Sequence, residues 1–244
     1  MEIPNSVIIV TGASEGIGEA AARVLAHNGA RLALAARSSD KLARLRDELK
    51  ASGAEVISLP TDIRDKEAVA RMIADTRQHF GRIDALINNA GQSVGGTIEK
   101  LNLDDFQKVI DLNIFGVLYA MQAVIPVMRA QGGGLILNVS SMVSKLILPW
   151  IGGYASTKAM LNQLSVTARA ELAPDNIRVC LMFPRTTATR FRENGINYGG
   201  ARPRPAANIQ VDSAEAVADR ILLALTTEPA EQYMEDPNPV AQPD

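Results

Sequence analysis

Three residues with complementary proton chemistry stand close together in the sequence: Ser141, Tyr154 and Lys158. From Tyr154 to Leu172 there is neither Gly nor Pro, and Pro174 follows, so this stretch predicts a helix with Tyr154 in its first turn. Residues four apart share one face of a helix. We therefore expect the phenol of Tyr154 and the ammonium of Lys158 to face the same space.

This pairing would change the acidity of the phenol. A free tyrosine titrates near pH 10, but a cation about 4 Å away, at an effective dielectric near 20, favours the phenolate by roughly 4 kcal/mol. Such a cation lowers the pKa of the phenol by about 3, which makes it a usable general acid or base near pH 7. The alternative for a YxxxK pair alone is a solvated helix turn, because short motifs recur by chance.

Ser141 adds a hydroxyl to the same region. It follows the apolar run 135–140, which predicts a buried strand. A hydroxyl at the mouth of that strand, beside the phenol, is well placed to hold a carbonyl oxygen while the carbonyl carbon accepts hydride.

Composition narrows the class of protein. The 244 residues suit one α/β domain, and with 47% hydrophobic residues, 21% charged residues and a net charge of -2 there is no basic excess for nucleic acid or an anionic membrane. The start of the chain has no basic segment, and its apolar run spans only Val7 to Val10. That run is too short for a signal peptide or a membrane span, so we expect a cytoplasmic protein.

Cysteine and histidine content argues against a metal centre. Cys180 is the single cysteine, and its neighbours RVCLMF predict a buried strand, so we expect structural burial for it. With His27 and His79 far apart, no Cys/His zinc cluster can form, and we predict no metal site.

Apolar runs alternate with helical stretches along the chain. This rhythm predicts an α/β fold with a Rossmann-type, doubly wound parallel sheet and helices on both faces. We expect strand order 3-2-1-4-5-6, with room for a seventh strand near Tyr233. The predicted organisation is a single domain over residues 1–230, followed by a proline-rich tail over 236–244 that we expect to be disordered.

The glycines of TGASEGIG lie directly between the first strand and its helix. Gly12, Gly16 and Gly18 leave the turn without side chains, so backbone can approach a pyrophosphate at the N-terminus of the helix. A tight turn with no ligand is the alternative, but this strand-to-helix context favours nucleotide binding.

Together, TGxxxGxG, NNAG at 88–91, Asn113, Ser141 and the Tyr154–Lys158 pair resemble the short-chain dehydrogenase/reductase family over residues 5–225. The resemblance implies an NAD(P)-dependent enzyme that moves a hydride between nicotinamide and a ketone or secondary alcohol. It implies a catalytic set of Asn113, Ser141, Tyr154 and Lys158, in which Asn113 holds a water of a proton relay from Lys158 to solvent. The cofactor contacts that we predict are Gly12, Ser14, Gly16, Ile17, Gly18, Arg37, Ser38, Asp62, Ile63, Asn89, Ala90, Gly91, Tyr154, Lys158, Pro184, Thr187 and Thr189.

Several of these residues have structural alternatives. Asp62, implied to accept from the adenine amino group, could instead cap the helix that begins near Asp65. Asn113 lies among apolar residues, where an interhelical hydrogen bond would explain a buried amide. NNAG could be only the end of a strand and a turn.

The chain departs from the family pattern after the sixth strand. Arg185 stands where the family has glycine, which puts the nicotinamide carboxamide contacts and the angle of the next loop in question. Residues 185–210 predict a mobile substrate lid, whose arginines either form a solvated surface or recognise an anionic group. The apolar stretch 146–151 either packs as core or lines a substrate pocket with Trp150, and we assign Phe191 to the same pocket.

Two further expectations concern assembly and activity. The stretch 109–128 is apolar nearly all round, which predicts a homodimer or homotetramer, although the family's glycine-rich C-terminus is absent. The competing class of function is a non-catalytic, dinucleotide-binding sensor or scaffold, since a fold alone does not imply turnover.

The end of the second predicted strand indicates which nicotinamide is used. An NAD site places a carboxylate there to hold the ribose hydroxyls, but this chain has Ala36, then Arg37 and Ser38. An arginine beside a hydroxyl suits a 2′-phosphate, so we predict a preference for NADP(H) over NAD(H). Arg37 could instead be a solvated residue before the cap near Ser39, and Glu15 could weaken phosphate binding or pair with Arg37.

Overall fold

The computed structural model describes residues 1–196 and 210–235. Its strands, in chain order, are β1 (Val7–Thr11), β2 (Arg31–Ala36), β3 (Val56–Pro60), β4 (Ala85–Asn88), β5 (Gly134–Val139), β6 (Ile177–Phe183), β7 (Thr186–Thr187), β8 (Val211–Asp212) and β9 (Glu231–Tyr233). Seven of them form one parallel sheet in the order β3-β2-β1-β4-β5-β6-β9. The predicted doubly wound topology is confirmed, and the seventh strand, β9, includes Tyr233 and lies beyond residue 230.

Seven α-helices within the described ranges connect the strands. They are α1 (Gly16–His27), α2 (Ser39–Ala51), α3 (Lys66–Phe80), α4 (Leu103–Ile110), α5 (Gly116–Ala130), α6 (Gly152–Leu172) and α7 (Ala214–Thr227). Successive residues of a strand point to opposite faces, and β1 shows this directly. Ile8 packs with α1, α2 and α7 on one face, whereas Ile9 packs with α3, α5 and α6 on the other.

The apolar stretch 109–128 lies in a nearly continuous helical segment. A turn of π-helix, Asp111–Phe115, joins α4 to α5. By length and composition Leu103–Ala130 could cross a membrane, a test that core helices of soluble proteins also pass. Val117, Ala120 and Val124 are buried against the sheet, so this segment is a core helix on one side.

The topology fixes where a ligand can bind. In an open parallel sheet the ligand site lies outside the carboxyl ends of the strands, where the strand order reverses. Here the reversal falls between β1 and β4, so the loops after β1, β4, β5 and β6 converge on one edge. Residues 197–209 of the predicted lid and the predicted tail 236–244 lie outside the described residues.

Candidate active site

The turn between β1 and α1 is shaped by its three glycines. Gly12 and Gly16 have φ of +65° and +61°, where side chains are disfavoured. A Cβ on Gly18 would lie 2.4 Å from the carbonyl oxygen of Gly12, so α1 can approach the turn only without one. The cap residue Glu15 makes no side-chain hydrogen bond to the helix start, which leaves the first N–H groups of α1 available to an anion.

NNAG is more than the end of a strand. The Asn89 side chain donates to the carbonyl oxygens of Thr11 at 3.0 Å and Gly12 at 3.3 Å. The Thr11 hydroxyl accepts in return from the backbone N–H of Asn89 at 3.0 Å. The segment thus ends β4 and also holds the glycine turn in place. Ala90 and Gly91 continue along the same edge of the sheet.

The helix α6 carries Tyr154 and Lys158 on its buried face. Their exposed fractions are 8% and 4%, so the solvated-turn interpretation of the pair is wrong. The Lys158 ammonium donates to the carbonyl oxygen of Val139 at 2.8 Å and lies 6.0 Å from the centre of the Tyr154 ring. This hydrogen bond fixes the ammonium between α6 and the end of β5.

Burial changes the charge on Lys158. Loss of solvent lowers the pKa of its ammonium from 10.5 to about 8. The sequence analysis assumed a full positive charge on Lys158. That charge is an overestimate, because a fraction of the Lys158 side chains is deprotonated near neutral pH. The sequence correctly predicted that Tyr154 and Lys158 share one face of a helix. It did not show that Lys158 is buried, and burial is what lowers its pKa.

Ser141 lies at the mouth of β5. Its hydroxyl accepts from the backbone N–H of Val143 at 3.4 Å, at the start of a short 3₁₀ turn over Met142–Lys145. The residues on either side are hydrogen-bonded to β6 and to the residue that follows it. The Ser140 N–H donates to the carbonyl oxygen of Met182 at 2.7 Å, and the Met142 N–H donates to that of Pro184 at 3.0 Å.

Asn113 is fully buried in the π-helical turn. Its amide NH₂ donates to Thr157 of α6 at 3.1 Å and to the Gln92 carbonyl at 2.9 Å, while its oxygen accepts from the Gln92 N–H at 2.9 Å. The interhelical hydrogen bond that competed with a catalytic role is therefore present. A Cβ on Gly91 would lie 3.3 Å from the Asn113 oxygen and 3.7 Å from the Lys158 ammonium, so glycine keeps the gap between them open.

The region predicted to hold the adenosine contains exposed charges. Arg37 and Ser38 are exposed after β2, and Ser38, not Ser39, precedes α2 without a side-chain cap. Within the described ranges Arg37 forms no ion pair. Glu15 does not pair with Arg37, contrary to one expectation. Its carboxylate instead binds Lys41 at 2.7 Å and the Asn194 amide at 2.6 Å.

Asp62 is not a helix cap. Asp65 caps α3, accepting from the Ala68 N–H at 3.0 Å. Asp62 binds the guanidinium of Arg64, whose hydrogen bonds hold the pKa of the Asp62 carboxyl below its ordinary value. The neighbouring Ile63 side chain is buried under Gly116, so only its backbone can face a cofactor.

The segment after β6 crosses above the glycine turn. The Thr189 side chain stands 3.2 Å from where a Cβ of Gly16 would lie, and the Phe191 ring is 5.6 Å from that of Tyr154. Its far end docks on the loop after β4, where the Ile196 N–H donates to Ser93 at 2.8 Å. The part of the predicted lid that is described before residue 197 therefore runs across the site from Arg185 to Ile196.

The match of the chain to known proteins agrees with this geometry. The sequence profile described as short chain dehydrogenase matches residues 6–197. The chain belongs to the short-chain dehydrogenase family. It is 37% identical over 195 residues to an uncharacterised oxidoreductase of Listeria innocua, covering 79% of each chain.

Two solved structures are similar throughout. A short-chain dehydrogenase/reductase of Burkholderia phymatum in complex with NAD is 25% identical, with a TM-score of 0.87 over 96% of this chain and 90% of that one. An alcohol dehydrogenase of the archaeon Thermococcus sibiricus, complexed with 5-hydroxy-NADP, is 30% identical, with a TM-score of 0.81 over 96% and 99%.

This short-chain dehydrogenase replaces the expected glycine after β6 by a structural arginine. Arg185 has no positive φ, so the backbone there does not require glycine. Its guanidinium binds Asp212 of β8 through two hydrogen bonds, at 2.9 and 3.1 Å, and Glu235 at 2.9 Å. Thr187 lies in β7, which pairs with β8, so both ends of the segment 188–210 are tied together.

The loop 146–151 is not core. Leu146 and Leu148 are half exposed and Ile147 is fully exposed. Trp150 has φ of +74°, a conformation that costs a bulky residue about 1 to 3 kcal/mol, and its carbonyl oxygen accepts from Gly96 at 2.8 Å. The loop thus joins Ser141 to α6 as an exposed apolar rim with a strained turn.

Two observations concern ligand binding elsewhere in the described chain. No group of three or more metal-ligating His, Cys, Asp or Glu residues exists within residues 1–196 and 210–235. A groove of about 530 Å³ lies at the opposite ends of the strands. Two arginines that line it, Arg82 and Arg178, are ion-paired with Asp84 and Glu228 of the same groove.

Sequence reasoning missed the partners that hold the site. Gln92 and Thr157 position Asn113, and Lys41 neutralises Glu15. Asn162 contacts two serines beside Ser141. Its spacing of four residues from Lys158 was a usable signal, because it places Asn162 on the same face of α6.

Proposed function

We propose that this protein is an NADP(H)-dependent oxidoreductase that interconverts a ketone and a secondary alcohol. The observation that carries the proposal is the buried pair Tyr154 and Lys158 on one face of α6, beside Ser141 and below a glycine turn open to an anion. Family membership supports oxidoreduction with a nicotinamide cofactor. A sensor or scaffold would need the glycine turn but not the buried proton-transfer pair.

When bound, the nicotinamide supplies or accepts the hydride. The Ser141 hydroxyl donates a hydrogen bond to the substrate oxygen, and the Tyr154 phenol gives that oxygen a proton during reduction or removes one during oxidation. Lys158 favours the phenolate by its charge and holds the nicotinamide ribose. The gap above Gly91, between Asn113 and Lys158, is where a water would return the proton to solvent.

The cofactor preference rests on charge. Relatives with solved structures hold either NAD or an NADP derivative, so the family alone does not decide. In this chain Ala36 stands where an NAD site would place a carboxylate, and the next residues, Arg37 and Ser38, are exposed. Arg37 has no competing ion pair in the described residues. Glu15, the contrary sign, is already paired with Lys41. An NADP 2′-phosphate is the group that this arrangement accepts best.

The substrate side is apolar. Phe191 faces the Tyr154 ring, and the half-buried Leu101 lies against Gly153 at the start of α6. Trp150 and the exposed residues 146–148 lie in the loop that connects Ser141 to α6. A small carbonyl compound or alcohol with an apolar body fits this wall.

The proposal is tested by measuring cofactor absorbance with a panel containing a β-keto ester, an aromatic aldehyde, a cyclic ketone and a long-chain methyl ketone. Turnover of at least one compound with NADPH, faster than with NADH at equal concentration, is the expected result. Tight NADPH binding without turnover of any panel member or of the corresponding alcohols would favour the sensor. Equal affinity for NADH and NADPH would overturn the preference.

We also propose that the protein is a soluble, cytoplasmic homo-oligomer, a dimer or tetramer. The helical segment of α4 and α5 exposes large apolar side chains, Leu103 and Phe115, on the side away from the sheet. Burying such a face against a second copy removes apolar surface from water. Sedimentation at micromolar concentration should show at least a dimer, and a monomer would contradict this.

A further inference from the structure

A chain of side-chain hydrogen bonds connects α6 to the loop that carries Ser141. The Ser140 hydroxyl donates to the Asn162 amide oxygen, and the Asn162 NH₂ donates to the Ser144 hydroxyl at 2.9 Å. The Ser144 hydroxyl donates onward to the carbonyl oxygen of Ser141 at 2.7 Å. Asn162 therefore holds the residue before Ser141 and, through Ser144, the backbone of Ser141 itself.

The position of Asn162 on its helix gives this chain significance. Tyr154, Lys158 and Asn162 are spaced by four, so they share one face of α6. The first two contribute the phenol and the ammonium, and the third reaches the loop that presents the Ser141 hydroxyl. One rigid element thus sets the position of all three functional groups relative to one another.

We propose that Asn162 is a positioning residue: it fixes Ser141 at the distance from Tyr154 that a shared substrate oxygen requires. This proposal rests on the proposed reduction of a carbonyl, in which both hydroxyls contact the same oxygen. Catalytic groups must be held within a fraction of an ångström, and a misplacement of about 1 Å can cost about 100-fold in rate.

The direction of the hydrogen bonds explains why an amide is suited to this place. Ser140 needs an acceptor and Ser144 needs a donor, because the single proton of Ser144 is used by the Ser141 carbonyl. An asparagine side chain offers one of each. An aspartate would accept from both serines and draw the Ser144 proton away from Ser141.

Among the described residues, the backbone hydrogen bonds of residues 140–144 connect this part of the loop to the sheet and to itself, but not to α6. The Ser140 and Met142 N–H groups anchor the loop to β6 and its extension, and Ser144 N–H also donates to the Ser141 carbonyl at 3.1 Å. These contacts fix the course of the chain along the sheet. Within the described residues, Asn162 adds the side-chain link from this loop to the helix that holds Tyr154.

The test compares Asn162→Ala and Ser144→Ala, each alone and together, in the full-length protein with NADPH and the best substrate of the panel. We expect each single variant to lower kcat about 10- to 100-fold with little change in the Kd of NADPH. Because both changes break one chain, the double variant should be no worse than about the poorer single variant. Ser144→Thr keeps the hydroxyl and should restore most of the rate.

Gln163→Ala is the matched control. Gln163 is an exposed amide on the same helix, one residue further, and its side chain donates a hydrogen bond to Thr167. It should leave kcat unchanged. Thermal unfolding of every variant distinguishes displacement of Ser141 from destabilisation of the whole protein. A purely structural role of Asn162 would lower the unfolding temperature, and the effects of the two substitutions on kcat would not show the non-additivity expected here.

A crystal structure of Asn162→Ala tests the proposal without turnover. We expect the Ser141 hydroxyl to move away from Tyr154 while the glycine turn stays in place. An unmoved Ser141, or losses of rate that multiply in the double variant, would overturn the positioning role. A wild-type protein that turns over no panel substrate would instead reject the proposed reaction, and the displacement of Ser141 would still decide the role of Asn162.

Discussion

The two ends of the site are built in opposite ways. At the catalytic end Lys158 and Asn113 are buried and each is hydrogen-bonded to backbone or to a neighbouring helix. At the adenosine end the groups are exposed charges: Glu15 and Lys41 pair with side chains 39% and 44% exposed, and Arg37 stands in solvent. The groups of the catalytic end are held in place by the core of the fold, whereas those of the adenosine end are surface side chains.

This difference separates chemistry from cofactor choice. Proton transfer needs groups held by a rigid, water-poor frame, so changes there should be costly in rate. A phosphate contact needs charge of the right sign, which exposed side chains provide with little effect on folding. Substitutions at the catalytic end should therefore abolish turnover, while those at the adenosine end should exchange one cofactor for another.

The largest effect is expected for Tyr154→Phe. Removal of the proton-donating hydroxyl should lower kcat by about 100- to 10,000-fold, with the Kd of NADPH unchanged. Steady-state kinetics and cofactor titration measure the two quantities. Tyr119→Phe, a similar change in the partly buried α5, is the control and should keep its rate. Near wild-type turnover in Tyr154→Phe would rule out proton transfer by the Tyr154 phenol.

Arg37→Asp tests the other end. A charge-assisted hydrogen bond is worth roughly 1.5 to 3 kcal/mol, so we expect NADPH to bind about 10- to 100-fold more weakly while NADH gains or holds its affinity. Arg44→Asp changes the net charge equally from an exposed position in the middle of α2 and should not alter the preference. If the Arg37 variant keeps its preference for NADPH, the assignment is wrong.

Lys158→Met should stabilise the fold while it damages the site. The folded state releases the Lys158 proton near pH 8 and the unfolded chain near 10.5, so below pH 8 the wild type bears the cost of a buried charge. After loss of the Val139 hydrogen bond, we expect a net gain of about 1 to 2 kcal/mol in the free energy of unfolding at pH 7. Denaturant titration of the variant and the wild type measures this gain.

The sign of its pH dependence follows. Between pH 8 and 10.5 the unfolded state binds more protons at this position, so wild-type stability rises with pH and the advantage of the variant shrinks. Lys100→Met, at an exposed lysine, should show no such trend. If the difference in the free energy of unfolding between variant and wild type stays constant from pH 8 to 10.5, burial does not lower the pKa of Lys158.

The smallest effect is expected for Glu15→Gln. Exposed ion pairs are worth about 0.2 to 1 kcal/mol, so freeing Lys41 and removing one negative charge should strengthen NADPH binding by at most about fivefold. Glu19→Gln, one turn further along α1 and paired with Arg23, is the control. Weaker NADPH binding would show that the contact of Glu15 with Asn194 matters more than its charge.

Much of the fold followed from the sequence because its signals are local. The apolar runs, the glycines after β1 and the helix of Tyr154 are set by periodicity and by backbone freedom within a few residues. The strand order followed from alternating strands and helices with right-handed crossovers. These rules do not depend on which side chains meet across the sheet.

The details that failed depend on long-range contacts. The pairing of Glu15 with Lys41 and the exposure of Ile147 are decided by which elements adjoin in three dimensions. The same holds for Arg185, whose partners Asp212 and Glu235 lie far along the chain. No local pattern contains that information.

The ion pair of Arg185 with Asp212 has a practical consequence for engineering. Together with the pairing of β7 and β8, it brings the two ends of the segment 188–210 to one place on the frame. A segment with joined ends can be exchanged for one of another length at a modest entropic cost, about 0.6 kcal/mol for each doubling. Segments of other lengths from relatives can therefore replace this one, provided that they keep an aromatic ring at Phe191 against Tyr154 and a small side chain at Thr189 over Gly16.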